Sequence, residues 1–153
     1  MIGLATSKDL NKWERHDNNP VLRVCARHDN KICDGFDTQF ASDAKVFWDN
    51  GGTKDDGNAV ENDDDDDAHW VMFYFGVGKG GAHIMIAHSK DLVHWVPDPV
   101  PLYAAGGNPS GLDKQYAHKI SLVRNPCNET FYMFYCAVGD AGRGIGLITS
   151  KPV

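Results

Sequence analysis

The side chains of this 153-residue chain that could carry chemistry by type alone are its cysteines, its glycine-rich stretch, a run of aspartates and a few isolated polar groups. Cys25 and Cys33 lie eight apart and Cys127 and Cys136 nine apart, with no CxxC pair. That spacing describes neither a disulfide framework nor a zinc site. A Cys25–Cys33 bridge inside one loop stays open, while Cys136 lies in an apolar run where a thiol acts as a small buried hydrophobe. Residues 76–81 (GVGKGG) lead from one strand-like run into another, with no helix N-terminus to cradle a phosphate, so they read as a hairpin turn. There is no GxSxG elbow and no HExxH pair. The aspartates at 63–67 are hard oxygen ligands that could recruit Ca²⁺, but they lack the glycine and ligand spacing of an EF-hand loop. They read as a solvated, self-repelling loop. Asn128, Glu129 and Thr130 form a glycosylation acceptor sequence short enough to arise by chance. Asp34 and Asp37 in the stretch DGFDTQF, Asp43, Lys45 and His118 remain, and their meaning depends on the elements that position them.

Those elements repeat. Residues 70–90 (WVMFYFGVGKGGAHIMIAHSK) align without a gap on residues 131–151 (FYMFYCAVGDAGRGIGLITSK) at an offset of 61. A partial third copy opens the chain, where residues 2–13 (IGLATSKDLNKW) match residues 84–95 (IMIAHSKDLVHW). Residues 70–77 and 131–138 are aromatic and β-branched, bounded by glycine and too short for helices, and 84–87 and 145–148 follow as second strands of hairpins. Each SKDLxxW segment then places a turn-forming aspartate before a short strand anchored by Trp13 or Trp95. Further strands are expected at 42–49 and 117–124. Aligning Asn50 with Asn125 sets Asp43 against His118 at an offset of 75 and leaves fourteen extra residues in the first unit. The polar stretch 51–67, within a hairpin insertion at 51–69, accounts for them. No segment carries a helical period over 11 or more residues, which predicts an all-β fold.

Composition narrows the partners. A net charge of -6 with no Lys/Arg cluster argues against nucleic acid. Much of that charge falls in the insertion, so it says little about a site. No window approaches the roughly 18 apolar residues of a membrane span, and residues 1–20 hold no apolar run suited to a secretory signal. The expectation is a soluble chain with no membrane partner.

A repeat of three to four antiparallel strands is the unit of a β-propeller blade. The combination IGLATSKDLNKW, then SDAKVFWD, WVMFYFGVG and IMIAHSKDLVHW, then HKISLVR, FYMFYCAVG and RGIGLITSKP resembles the five-bladed β-propeller glycosidases, the group of glycoside hydrolase families 43, 32, 117 and 130, and most closely the family-43-like members. The resemblance implies a partial propeller of about two and a half blades: outer strands of one blade in 1–22, a full blade in 43–103 and most of a final blade in 117–153. It implies the C-terminal half of such a protein, with the missing blades N-terminal. It further implies hydrolysis of O-glycosidic bonds by carboxylate acid/base catalysis, incomplete in a single chain, or else a non-catalytic carbohydrate-binding or structural half-propeller.

In the resembled families the carboxylates sit near the start of the innermost strand of successive blades and project into a central funnel. By position, that assigns Asp43 as a catalytic acid or the carboxylate that tunes one, and His118 as a ligand of sugar hydroxyls, a holder of a central ion or water, or an acid itself. Asp37, with Asp34 beside it, falls in a rim loop and is expected to bind substrate, and Lys45 shares the strand face of Asp43 by period-2 alternation, where it would contact substrate or pair with a nearby carboxylate. Trp48, Trp70, Tyr74 and Tyr135 could stack on sugars, although aromatics inside strands more often pack between blades. No cofactor is implied beyond a central Ca²⁺ or water. Open blade faces imply a homodimer.

Overall fold

The computed structural model describes residues 1–24, 35–49, 68–128 and 130–151. Cys25, Cys33, Asp34, Glu129 and the acidic stretch 51–67 lie outside these described residues. Every regular element among the described residues is a strand: β1 (Ala5–Thr6), β2 (Glu14–Arg15), β3 (Phe40–Asp49), β4 (His69–Gly78), β5 (Gly81–Ser89), β6 (Val96–Pro97), β7 (Tyr116–Asn125), β8 (Thr130–Gly139) and β9 (Gly142–Thr149). The six long strands cover the six expected apolar runs.

β1 and β2 pair in a small antiparallel sheet, and the other strands form two antiparallel units, β3-β4-β5 with β6 paired to β5, and β7-β8-β9. One parallel pair, Ala82 with Tyr116, joins β5 to β7. Alternation along β4 and β5 sends Met72, Tyr74, Met85 and Ala87 to one face and Phe73 and Ile84 to the other. The first set packs with Ala41, Leu22, Ile2 and Phe36. The second set packs with Ala117, Ile120, Met133, Tyr135 and Ala137 of the second unit. The first unit is therefore covered on both faces. Burying a side chain such as Ile84 or Met85 contributes about 1.5–3 kcal/mol.

The opening segment copies the outer part of a unit in geometry as well as sequence. Ile2 and Leu22 exchange backbone hydrogen bonds of 2.9 and 3.2 Å, and Ile84 and Tyr103 do the same at 3.0 and 3.2 Å. Both SKDLxxW turns close in the same way. Asp9 Oδ1 accepts the amides of Asn11 and Lys12, and Asp91 Oδ1 those of Val93 and His94. The indole N–H of Trp13 donates to Leu10 O, and that of Trp95 to Leu92 O. Leu10 and Leu92 carry φ values of 62° and 66°. Trp13 and Trp95 thus serve the turn.

Strand register corrects the alignment of the first strands of the two units, β3 and β7. Phe40 pairs with Val77 and Tyr116 with Val138, so β3 and β7 correspond at an offset of 76. Each strand bulges, between Ser42 and Lys45 and between His118 and Ser121. Asp43 and Lys119, at φ 54° in both cases, are the matching kinked residues. Ser42, not Asp43, is the counterpart of His118, and the first unit has fifteen extra residues rather than fourteen. Asp49 stands opposite His69 as Asn125 stands opposite Thr130, so Asp49 is the counterpart of Asn125.

Candidate site at the bulges of β3 and β7

The bulges matter because they sit where β3 and β7 begin, beside the β5–β7 contact. The extra residue in each bulge forces a left-handed backbone, which glycine adopts freely and other residues adopt at a cost. Asp43 and Lys119 hold it nonetheless, and both are exposed. His118, next to the second bulge, is half-buried against the rings of Phe75 and Tyr116, with centroid distances of 5.3 and 6.1 Å. Its Nδ1 is buried with no hydrogen-bond partner. Burial holds the imidazole below its ordinary range; Lys119 pushes the same way, Asp43 opposes, and Arg143 adds to the depression. At neutral pH His118 is therefore an uncharged base with one donor and one acceptor.

Asp43 and His118 thus share one electrostatic neighbourhood, each beside the bulge in the first strand of its unit. Lys119 and Arg143 belong to it too, and sequence reasoning does not single them out. The signal for Lys119 is the offset of 76, which aligns it with Asp43. Arg143 follows from register, since it lies opposite Val138, itself opposite Tyr116. The cluster therefore holds one carboxylate, one neutral imidazole and two cations.

The other expected residues lie differently. The bulge breaks the period-2 alternation that tied Lys45 to Asp43: Ser42 opposes Phe75 and Lys45 opposes Phe73, so Ser42 and Lys45 share a face. No carboxylate among the described residues forms an ion pair with Lys45. Asp37 is 8% exposed and its Oδ2 accepts the Tyr74 hydroxyl at 2.8 Å. The same brace recurs in the second unit, where the fully buried Asp113 accepts the hydroxyls of Tyr135 and Tyr103, each at 2.7 Å. Burial alone would raise Asp113, but those two hydroxyls, with backbone amides, outweigh it and hold the carboxyl below its usual range. The braces belong to a repeated segment, GFDTQF at 35–40 and GLDKQY at 111–116. The backbone amides of its glutamines, Gln39 and Gln115, donate to Val77 O and Val138 O at 2.9 Å. Its glycine carbonyls lie so close to Gly78 and Gly139 that no Cβ fits at either position.

Tyr74 and Tyr135 are buried in these braces and offer sugars no surface. Trp48 is exposed, with its ring edge-on to Trp70 at 4.9 Å. Cys136 is a free, half-buried thiol rather than a buried one, and Cys127 is free and exposed. Among the described residues no group of three or more His, Cys, Asp or Glu side chains gathers for a metal ion. An open cleft lined by His69, His88, Lys90, Asp91 and His94 lies at the end of β5 away from Ala82. There His69 Nε2 and His88 Nδ1 are 3.0 Å apart and His94 Nδ1 meets Asp91 Oδ2 at 2.6 Å, so the polar groups of that cleft satisfy one another.

No family model and no curated protein matches the chain. Two solved structures do, one named "Glycoside hydrolase" and one named as an RGII complex, each at 30% identity and a TM-score of 0.66. Each match takes in 99% of this chain and 36% of the other. The chain spans about a third of the length of the structures it resembles, and within that span it has an all-β, glycoside hydrolase-like fold.

Proposed function

We propose that this chain supplies part of a five-bladed β-propeller glycosidase of the family-43-like type, in which Asp43 gives a proton to the glycosidic oxygen and His118 binds a neighbouring sugar hydroxyl. The observation that carries this reading is the meeting of Asp43 and His118 at the bulges of β3 and β7, in a chain 30% identical over its length to part of a protein named "Glycoside hydrolase". The units β3–β6 and β7–β9 are then consecutive blades, and the segment 1–24 is the outer part of the blade before them.

Glycoside hydrolysis takes two carboxyl groups, about 5–5.5 Å apart for retention or 6.5–9.5 Å for inversion. The position that carries Asp43 in the first unit carries Lys119 in the second. The second carboxylate therefore comes from outside this pair. This favours a second reading, a carbohydrate-binding module that recognises sugar without cleaving it.

Hydrolysis of a panel of aryl glycosides and oligosaccharides by the purified chain, with Asp43→Asn as control, separates the two. Turnover lost in the variant supports the acid. Turnover unchanged in the variant removes Asp43 from the mechanism. Sugar binding by calorimetry without turnover in either protein assigns the binding module.

A further inference from the structure

Three of the chain's seven histidines, His69, His88 and His94, line the cleft at the end of β5 away from Ala82. Two of them meet ring to ring. His88 stands opposite Val71, two residues along from His69, so the two imidazoles are diagonal neighbours on one face of the β4–β5 pair. His69 Nε2 and His88 Nδ1 face each other at 3.0 Å. On the other side of its ring, His88 Nε2 lies 3.5 Å from Asp98 Oδ1. The backbone fixes Asp98 there, since its amide donates to Ile86 O at 3.0 Å. The repeat shows that the sheet itself does not call for these rings. At the position of His88 both other copies carry threonine, Thr6 and Thr149, and the counterpart of His69 in the second unit is Thr130. Histidine occupies the two positions together, in the one unit where they face each other.

We infer that His69 and His88 form a binding site for a divalent transition-metal ion of the Cu²⁺ type, with Asp98 orienting His88 from behind. Imidazole nitrogen suits such ions, and a ligating histidine directs its second nitrogen to a carboxylate, carbonyl or water, as His88 does to Asp98. The spacing selects the geometry. At metal–nitrogen distances of about 2.0–2.1 Å, nitrogens 3.0 Å apart subtend roughly 91–97° at the ion, whereas a tetrahedral ion would hold them about 3.3–3.4 Å apart. A near-right angle fits the tetragonal coordination of Cu²⁺, which also heads the affinity order of the divalent ions. The protons balance without release. His88 keeps its hydrogen on Nε2 towards Asp98, the hydrogen of His69 moves through solvent from Nε2 to Nδ1, and the two facing lone pairs take the ion. The side chains of His88 and Asp98 are 39% and 44% exposed, which gives the ion a way in and lets water complete its shell. Two protein ligands are fewer than a structural site uses, so the ion exchanges with solution. The inference does not depend on the glycosidase reading.

Copper titration of the untagged chain, its thiols alkylated so that they neither bind nor reduce the ion, tests the site by calorimetry and electron paramagnetic resonance. One equivalent of Cu²⁺ is expected, with coupling to two imidazole nitrogens. His69→Thr and His88→Thr put in the residue type that the other copies carry at these positions, so the sheet accommodates them. Each is expected to lose one nitrogen and about tenfold or more in affinity. Asp98→Asn keeps both nitrogens and weakens binding by about tenfold. His94→Gln, in the same cleft but with its ring on Asp91, binds as the wild type does. Absence of binding by the wild type overturns the proposal, as does copper that follows His94 or that ignores both threonine variants. Should either threonine variant lose its strand circular dichroism, the wild-type spectrum decides: coupling to fewer than two nitrogens overturns the site.

Discussion

Asp43 and Lys119 occupy one and the same backbone position in successive units, each at φ 54° in the bulge of the unit's first strand, and carry opposite charges. The kink is common to both units, so it belongs to the architecture. The charge differs, so it belongs to whatever the strand starts face. A residue that only terminated a loop would have no reason to hold a left-handed conformation inside a ten-residue strand.

Replacing Lys119 with glycine separates these contributions. A non-glycine residue in the left-handed region costs roughly 1–2 kcal/mol, part of which glycine offsets through its freer unfolded chain. Lys119→Gly is expected to stabilise the fold by about 0.5–1 kcal/mol. Asp43→Gly gains less, because the short aspartate side chain tolerates this region better. Urea midpoints check both. A large loss of stability in Lys119→Gly would mean that the lysine side chain, not the backbone, holds the bulge.

The tyrosine braces differ in the number of hydroxyls per carboxylate. Asp113 holds two and Asp37 holds one. Leaving a buried donor unsatisfied costs about 1–3 kcal/mol. Asp113→Ala is therefore expected to cost about 2–4 kcal/mol and Asp37→Ala about 1–2 kcal/mol. Tyr135→Phe removes a donor while Tyr103 still satisfies the carboxylate, and costs about 1 kcal/mol. Thermal or urea denaturation of the three variants gives the order. Equal losses at Asp37 and Asp113 would contradict it.

Much of this fold is legible in the sequence because strand periodicity and the repeat carry it. The offset of 61 aligns β4 with β8 and β5 with β9, strands that hold alternation from end to end. The first strands of the units, β3 and β7, resist the same reading, since a bulge adds one residue and resets alternation without any signature glycine; Asp43 and Lys119 stand where glycine would announce it. Counting by twos from Asp43 puts Lys45 on the wrong face for that reason. Asp37 reads as a rim carboxylate because its partner, Tyr74, lies 37 residues away and across a strand. The segment G-[FL]-D-x-Q-[FY] exposes the brace only when the connections, and not the strands alone, are compared for repeats. The cations around His118 come from a bulge and from the third strand of a unit, a convergence that strand pairing creates and spacing does not show.

The SKDLxxW turns invite a charge-specific test. Asp91 lies well below the usual carboxylate range, chiefly because His94 hydrogen bonds to it, then because the amides of His94 and Val93 donate to it. Its contribution is present above the ordinary aspartate value and is lost as pH falls through the lower folded value. Asp91→Asn keeps an oxygen acceptor for the amides and loses the charge, whereas Asp91→Ala loses both. Asn is expected to fall between wild type and Ala in thermal midpoint at pH 7, with the wild-type advantage over Asn vanishing in strong acid. Midpoints that stay parallel down to strong acid would show that the charge contributes nothing.

His118 sets the acid behaviour of the candidate site. Burial first, then Lys119, lower its proton affinity; Asp43 raises it and Arg143 lowers it again. The unfolded chain takes up this proton near the ordinary imidazole value of about 6.5, whereas the folded chain does so only at lower pH. Between those points the unfolded state binds more protons. The fold therefore loses stability as pH drops from about 6.5 through the folded value, and keeps the whole contribution above it. Ring-proton chemical shifts followed with pH should give a midpoint below about 6.5 for wild type. Lys119→Met should move that midpoint up, and Asp43→Asn should move it down. His118→Gln should remove its share of the stability loss in this window. A midpoint at the ordinary value, or one indifferent to both Lys119 and Asp43, would separate these residues electrostatically and with them the grouping on which the proposed site rests.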